Sequence, residues 1–359
     1  MRTPDRRRAV DLLRPVGQSR WGMAAWLAGA LGAILVLTAA FGHAELGSAI
    51  GLGFVLTAVP SLPVAWRPAV TVLGIRGLTV LAGAGAALST AGHPLLLATA
   101  TVAAALCGGL LSRVGPTAGL AVVLIAVDMP DGAGALWLVP YLVGAVVVVI
   151  AWTGWFLCAE AIRRGRGEQV QSEALRGATW RDSWPHALRV GVAVAVAVAL
   201  AGLLPDDLVG GHWLVTSVVL TVQPAAIDTG VRLAQRLSGN TVGALIAAVL
   251  LGAHPSVPVV AVLTVVLFTL AMALRPVNYT WWAVTGPPVL LMISEYPDLF
   301  PWYEGGVRLA MNVAGAVIVV LVVFSPAALA WIRNRGGATG FREKDGSDSV
   351  YKIQSRRLR

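Results

Sequence analysis

Apolar stretches of about twenty residues recur twelve times between residues 21 and 332, each bounded by Arg, Pro, Gly or an acid. A stretch of that length is what an α-helix needs to cross a bilayer. The first six fall at about 21–41, 44–60, 68–91, 94–112, 115–129 and 134–158. The second six fall at about 184–204, 209–224, 230–252, 255–274, 279–296 and 303–332. The second, fifth, eighth and eleventh are short. The Val-Ala alternation over 192–199 imitates a strand, but a membrane-barrel strand alternates apolar with polar residues, so a helix is expected there. The pattern predicts an all-α polytopic membrane protein of about twelve helices. Only 13% of the residues are charged, against roughly 25% in a soluble chain, which excludes an ordinary cytosolic enzyme.

Charge is sorted along the chain. If connectors alternate between two sides, one side collects Arg2, Arg6, Arg7, Arg8, Arg14 and Arg20, then Arg67, Arg76 and Arg113. It also collects the linker arginines from Arg163 to Arg189, Arg232, Arg236, Arg275 and the tail. The other side collects Glu45, Asp128, Asp131, Asp206, Asp207, Glu295, Asp298 and Glu304, with Arg308 as the lone exception. The positive-inside rule then places both termini in the cytoplasm of a cell (inner or plasma) membrane protein. This fixes five regions: a basic arm (1–20), a six-helix unit (21–158), a linker (159–183), a second six-helix unit (184–332) and a polar tail (333–359). The net charge of +9 is thereby accounted for by topology and lipid headgroups, and no nucleic-acid partner is expected. The first segment could pass for a signal peptide ending near Gly42-His43-Ala44. Its counterpart at 184–204 argues for an integral helix.

The two halves repeat. His93-Pro94 matches His254-Pro255, Arg76 matches Arg236, Arg113 matches Arg275, and Gly144-Ala145-Val146 matches Gly315-Ala316-Val317. Six helices is an even number, so the halves share one orientation and form two pseudo-symmetric bundles. Within the second half, Arg236-x-x-x-Asn240-x-x-Gly243-Ala244 recurs as Arg308-x-x-x-Asn312-x-x-Gly315-Ala316, and Trp213-x-Val215-Thr216 as Trp282-x-Val284-Thr285. These copies lie three helices apart and face opposite sides, an inverted three-plus-three repeat of the kind transporters use.

Arg236, Asn240 and Gly243 fall on one helix face, as do Arg308, Asn312 and Gly315. Arg supplies a planar fork for a carboxylate, Asn a neutral donor one turn deeper, and Gly room for a neighbouring helix. The functional reading is an anion path through Arg236, Asn240, Arg308 and Asn312, with Arg232 and Arg76 at its inner mouth; the structural one is arginines reaching headgroups and Asn and Gly packing helices. Gln223, before Pro224, and the tryptophans Trp213 and Trp282 are further candidates, the tryptophans being expected mainly at the membrane interface. Asp228 is expected to pair with Arg232 or to cap its helix. Gly286-Pro287-Pro288 is expected to break the eleventh helix. Cys107 and Cys158 read as buried small apolar residues. No catalytic or metal-ligating constellation stands out, and the only lysines, Lys344 and Lys352, lack a phosphate-loop context, so no ATPase, cofactor or enzyme activity is expected. The expected partners are lipid and a small organic anion; a homo-oligomer is compatible with the sequence.

Through Trp213-x-x-x-Ser217, Gln223-Pro224, Arg236-x-x-Gly239-Asn240-x-x-Gly243-Ala244 and Arg308 to Gly315-Ala316, the second half resembles the fusaric acid resistance / aromatic acid exporter (FUSC-type) membrane family. The resemblance covers residues ~175–332, and reaches ~12–158 only through the internal repeat. It implies paired six-helix units and outward passage of organic anions, particularly aromatic carboxylates. The first half departs from it, with Trp137 and Tyr141 where Arg308 and Asn312 stand, and the large cytoplasmic domain of many relatives is missing. The competing reading is a membrane scaffold of the cell envelope that moves no solute, and an anion channel is a variant of the first.

Overall fold

The computed structural model describes residue 15 and residues 17–59, 62–63, 65–130, 132–166, 180–204, 210–294 and 303–340. Most of the basic arm, the linker over 167–179, the tail from 341, and Asp131, Asp206, Asp207, Glu295 and Asp298 lie outside them. Among the described residues there are twelve α-helices and no strand. They are α1 (Trp21–Ala40), α2 (Ala44–Thr57), α3 (Trp66–Ser89), α4 (Pro94–Leu110), α5 (Thr117–Asp128) and α6 (Leu138–Gly165, after a 3₁₀ turn over Ala135–Trp137). The second half adds α7 (Trp180–Ala201), α8 (Gly211–Thr221), α9 (Ala226–Gly252), α10 (Val257–Leu274), α11 (Tyr279–Ser294) and α12 (Glu304–Gly340).

Local chemistry sets many of the ends. Pro94 opens α4 and Pro258 lies in the first turn of α10, positions where the missing N–H has no helical acceptor. Gly42 and Gly92 turn the chain at φ 76° and 75° between α1 and α2 and between α3 and α4. α6 continues past the expected boundary at 158 to Gly165, where Glu160 pairs with Arg163 and Arg164 at 2.9 and 3.0 Å. These i,i+3 and i,i+4 pairs carry the helix beyond its apolar span.

Among the described residues six helices are long and apolar enough to cross a membrane: α1, α3, α6, α7, α10 and α12. Less than half of each such stretch is buried inside the protein. The outward faces carry Leu78, Leu95, Ile150, Leu245 and Val249, all mostly exposed. An all-round apolar helix with an apolar outer face belongs in lipid, and the molecule is a multi-pass membrane protein. Cys107 and Cys158 sit on that outer face rather than in the core. The sequence expectation fails here because an apolar context means burial only when the solvent is water.

The helices pack in recurring pairs. α2 lies on α6 and α8 on α12; α3 lies on α5 and α9 on α11; the halves join where α1 meets α10 and α4 meets α7. α1, with Leu27, Leu31 and Leu35 fully buried, is part of the main core together with Phe54, Phe268 and Met272. Phe54 meets Phe268 edge-on at 6.0 Å across the two halves.

α11 runs unbroken through Pro287 and Pro288, against the expected discontinuity. The two prolines lack the N–H groups that Ala283 and Val284 would otherwise accept. α9 covers these carbonyls closely: a Cβ on Gly243 would stand 2.4 Å from the Val284 oxygen, and one on Gly239 2.5 Å from the Ala283 Cβ. Neighbouring packing, rather than an unwound turn, accommodates the prolines.

Candidate functional site

α9 and α12 are antiparallel neighbours. Gly305, in the first turn of α12, lies against Ala244 and Ala248, while Arg236 and Asn240 reach Asn312 further along. The i,i+4 spacing on each helix therefore puts Arg236 and Asn240 opposite Asn312, with Arg308 one turn beyond. All four are buried, between 3 and 7% exposed.

Asn312 is the centre of the arrangement. Its Oδ1 accepts from Asn240 Nδ2 at 2.7 Å and from Arg236 Nη2 at 3.1 Å, while its own Nδ2 donates to the Arg308 carbonyl at 2.8 Å. Arg236 uses Nη1 on the Tyr279 hydroxyl at 3.1 Å. The Arg308 guanidinium lies flat over the Trp213 ring, 3.3 Å from its centroid, and Nη1 donates to the Pro287 carbonyl at 2.8 Å. Trp213 is 4% exposed, so it is not an interfacial residue. Trp282 faces the same small cavity from α11, and Trp281 remains at the surface.

That cavity has a volume of about 30 Å³ and is lined by Trp213, Thr216, Arg236, Asn240, Arg308 and Asn312 among others. Three of its buried polar atoms have no protein hydrogen-bond partner: Trp213 Nε1, Thr216 Oγ1 and Arg236 Nε. Two are N–H donors, and a buried donor without an acceptor costs about 1–3 kcal/mol. Among the described residues no Asp or Glu lines the cavity. Among the described residues the only ion pairs are those of Glu160 at the end of α6. The site is thus rich in donors and positive charge and short of acceptors, the composition of a pocket for an anion.

The remaining candidates lie elsewhere. Arg232 stacks on Tyr279, its guanidinium carbon 3.6 Å from the ring centroid. Asp228 is exposed in the first turn of α9 and forms no ion pair with Arg232, though its charge acts on it. Arg76 donates to the Leu56 carbonyl at 2.8 Å and lies near Arg275. Gln223 belongs to a different cavity, of about 400 Å³, between the ends of α4, α5, α7 and α8. There its backbone N–H donates to Thr229 Oγ1 at 3.0 Å, which ties the α8–α9 turn together. Sequence reasoning sets Arg275 aside with the headgroup-reaching arginines and passes over Tyr279. Arg275 lies over the Trp282 ring at 4.4 Å and Tyr279 is the acceptor for Arg236. The signal available is position alone, a Tyr in the first turn of the helix that follows Arg275.

The first half is built differently at the matching place. Tyr141 and Ser48 donate to the two carboxylate oxygens of Asp128 at 2.8 and 2.7 Å. Hydroxyls facing an acid stand there in place of guanidinium and amide.

No curated protein and no solved structure matches the chain. Residues 193–322, from α7 into α12 and including Arg236, Asn240, Arg308 and Asn312, match the family model described as fusaric acid resistance protein-like.

Proposed function

We propose that the protein exports organic anions, aromatic carboxylates foremost, along a path through Arg236, Asn240, Arg308 and Asn312. The observation that carries this reading is the cavity between α8, α9, α11 and α12, with no acid among its described lining residues and three unpartnered polar atoms on its wall. A carboxylate supplies the acceptors those donors lack, and the indole faces of Trp213 and Trp282 suit an aromatic body. The arginine-rich end faces the cytoplasm on the positive-inside rule. A negative-inside potential then favours outward movement of each negative charge by about 2.3 kcal/mol per 100 mV.

The helix pairing supports a moving rather than an open path. The α2–α6 pair has its counterpart in α8–α12, and the α3–α5 pair in α9–α11. Twelve membrane helices in two parallel units, each an inverted pair of three-helix sets, is the reading this pairing favours. At about 30 Å³ the cavity holds little more than a water molecule. An aromatic acid needs α9 or α12 to move first, which favours a carrier over a permanently open channel.

The test is flux in proteoliposomes. A panel of aromatic carboxylates is followed under an imposed voltage, with wild type compared to Arg236→Gln and Arg308→Gln at matched insertion. Saturable, voltage-driven flux lost in both variants supports the path. Folded wild-type protein that moves none of the panel points to a scaffold instead.

A further inference from the structure

A second group of arginines stands beside the central cavity, on the Tyr279 side of Arg236. Arg76 comes from α3, Arg232 from α9 and Arg275 from the residue capping α10. Their charges act on one another in sequence, Arg76 with Arg275, Arg275 with Arg232, and Arg232 with Arg236. Tyr279 acts on both Arg232 and Arg275, the exposed Asp228 acts on Arg232, and none of the three arginines forms an ion pair with a described residue.

What holds these guanidiniums in place is unusual for a cluster of like charges. The guanidinium carbons of Arg232 and Arg275 lie over the Tyr279 and Trp282 rings, 3.6 and 4.4 Å from the ring centroids, and Arg232 also hydrogen-bonds Tyr279. Cation–π stacking fixes the plane of a guanidinium while leaving its N–H edges available. Arg275 makes no side-chain hydrogen bond to any described residue; Arg76 gives Nη2 to the Leu56 carbonyl, but its Nε is buried without a partner. Three half-buried positive charges that share one tyrosine, two of them with unused donors, repel one another, and an anion among them relieves that repulsion.

We infer that Arg232 and Arg275, arranged around Tyr279 with Arg76 beside Arg275, form a separate binding site for an oxyanion, in series with the Asn240–Asn312 site. Arg236 belongs to both, with Nη1 on Tyr279 and Nη2 on Asn312. The inference rests on the proposed path and gives it a first station: a carboxylate engages the stacked arginines at the mouth and passes to Arg236 when the central cavity opens. Soluble carboxylates and anionic lipid headgroups share the required chemistry, and the serial arrangement commits the site to the soluble anion.

The experiment is thermal unfolding of the purified full-length protein in neutral detergent, titrated with benzoate or inorganic phosphate, and in nanodiscs with and without phosphatidylglycerol. Benzoate is expected to stabilise wild type saturably, and Arg275→Gln to raise the half-effective concentration by about tenfold, the worth of one charge-assisted contact. Arg308→Gln is expected to keep that stabilisation while losing flux. Arg275→Lys keeps the charge without the planar fork and guards against misfolding; it is expected to bind more weakly than wild type. An unchanged half-effective concentration in Arg275→Gln and Arg275→Lys overturns the inner site even if flux through Arg308 stands. Stabilisation by phosphatidylglycerol alone overturns the serial arrangement. Arg275-dependent benzoate binding without wild-type flux keeps the inner site and sinks the transport reading.

Discussion

Asn240 on α9 and Asn312 on α12 meet at 2.7 Å, side chain to side chain, where two antiparallel helices carrying the same Arg-x-x-x-Asn spacing cross. Each asparagine lies one helical turn from an arginine, and the Asn312 oxygen is also the acceptor for Arg236. One neutral oxygen therefore takes two buried donors, one of them charged.

Asn312→Ala removes that oxygen and leaves Asn240 Nδ2 and Arg236 Nη2 without it. A loss of about 2–6 kcal/mol is expected, two orphaned donors at the usual cost, read as a fall in the midpoint of thermal unfolding. Asn312→Asp should do the opposite to stability and still abolish flux, because its carboxylate occupies Arg236 as a substrate would. Undiminished flux in Asn312→Asp would remove Asn312 from the path.

Arg308 stacked on Trp213 at 3.3 Å predicts a graded series at position 213. A stacked, desolvated cation is worth about 2 kcal/mol. Trp213→Phe keeps an aromatic face and should hold the half-saturating anion concentration within about threefold, whereas Trp213→Leu should raise it by about tenfold or more. Equal behaviour of Phe and Leu would mean that Trp213 only fills space.

How much of the fold and the site is legible in the sequence depends on what kind of signal a residue leaves. The helices are legible, since twelve apolar stretches leave a periodic mark and their ends fall near those of α1 to α12. The Arg236–Asn240 and Arg308–Asn312 pairs are visible as spacings on single helices. That they converge on one oxygen depends on how α9 and α12 cross, which spacing does not encode. Trp213 is misplaced by sequence because a Trp near a helix start resembles an interfacial anchor, and α8, eleven residues long, lies with that Trp buried under Arg308. Pro287-Pro288 resembles a break because a sequence does not show which glycines, here Gly239 and Gly243, come to cover the freed carbonyls.

The two cysteines give a direct check on the outward faces. Cys107 and Cys158 are both exposed on helices with apolar surroundings, so neither leaves a cavity when shortened. The double substitution Cys107→Ala/Cys158→Ala should change stability by no more than about 0.5 kcal/mol, the usual range for surface positions. A loss above about 2 kcal/mol, the cost of a core truncation, would show that at least one thiol is packed against protein.

Gly243 carries the last prediction, because it fixes how closely α9 approaches the proline turn of α11. A methyl group there would stand 2.4 Å from the Val284 oxygen and 3.4 Å from that of Ala283. Backbone cannot yield as a flexible side chain does, so α9 must shift outward and carry Arg236 and Asn240 with it. Gly243→Ala should therefore cost about 1–3 kcal/mol, the usual range for overpacking, and reduce anion flux at matched insertion. Gly74 on α3 supplies the comparison: it has nothing within 4 Å of its would-be Cβ. There the added methyl should be neutral or stabilise the helix by about 0.5–1 kcal/mol. If Gly243→Ala and Gly74→Ala behave alike in both unfolding and flux, the close approach of α9 to α11 does not hold the site together.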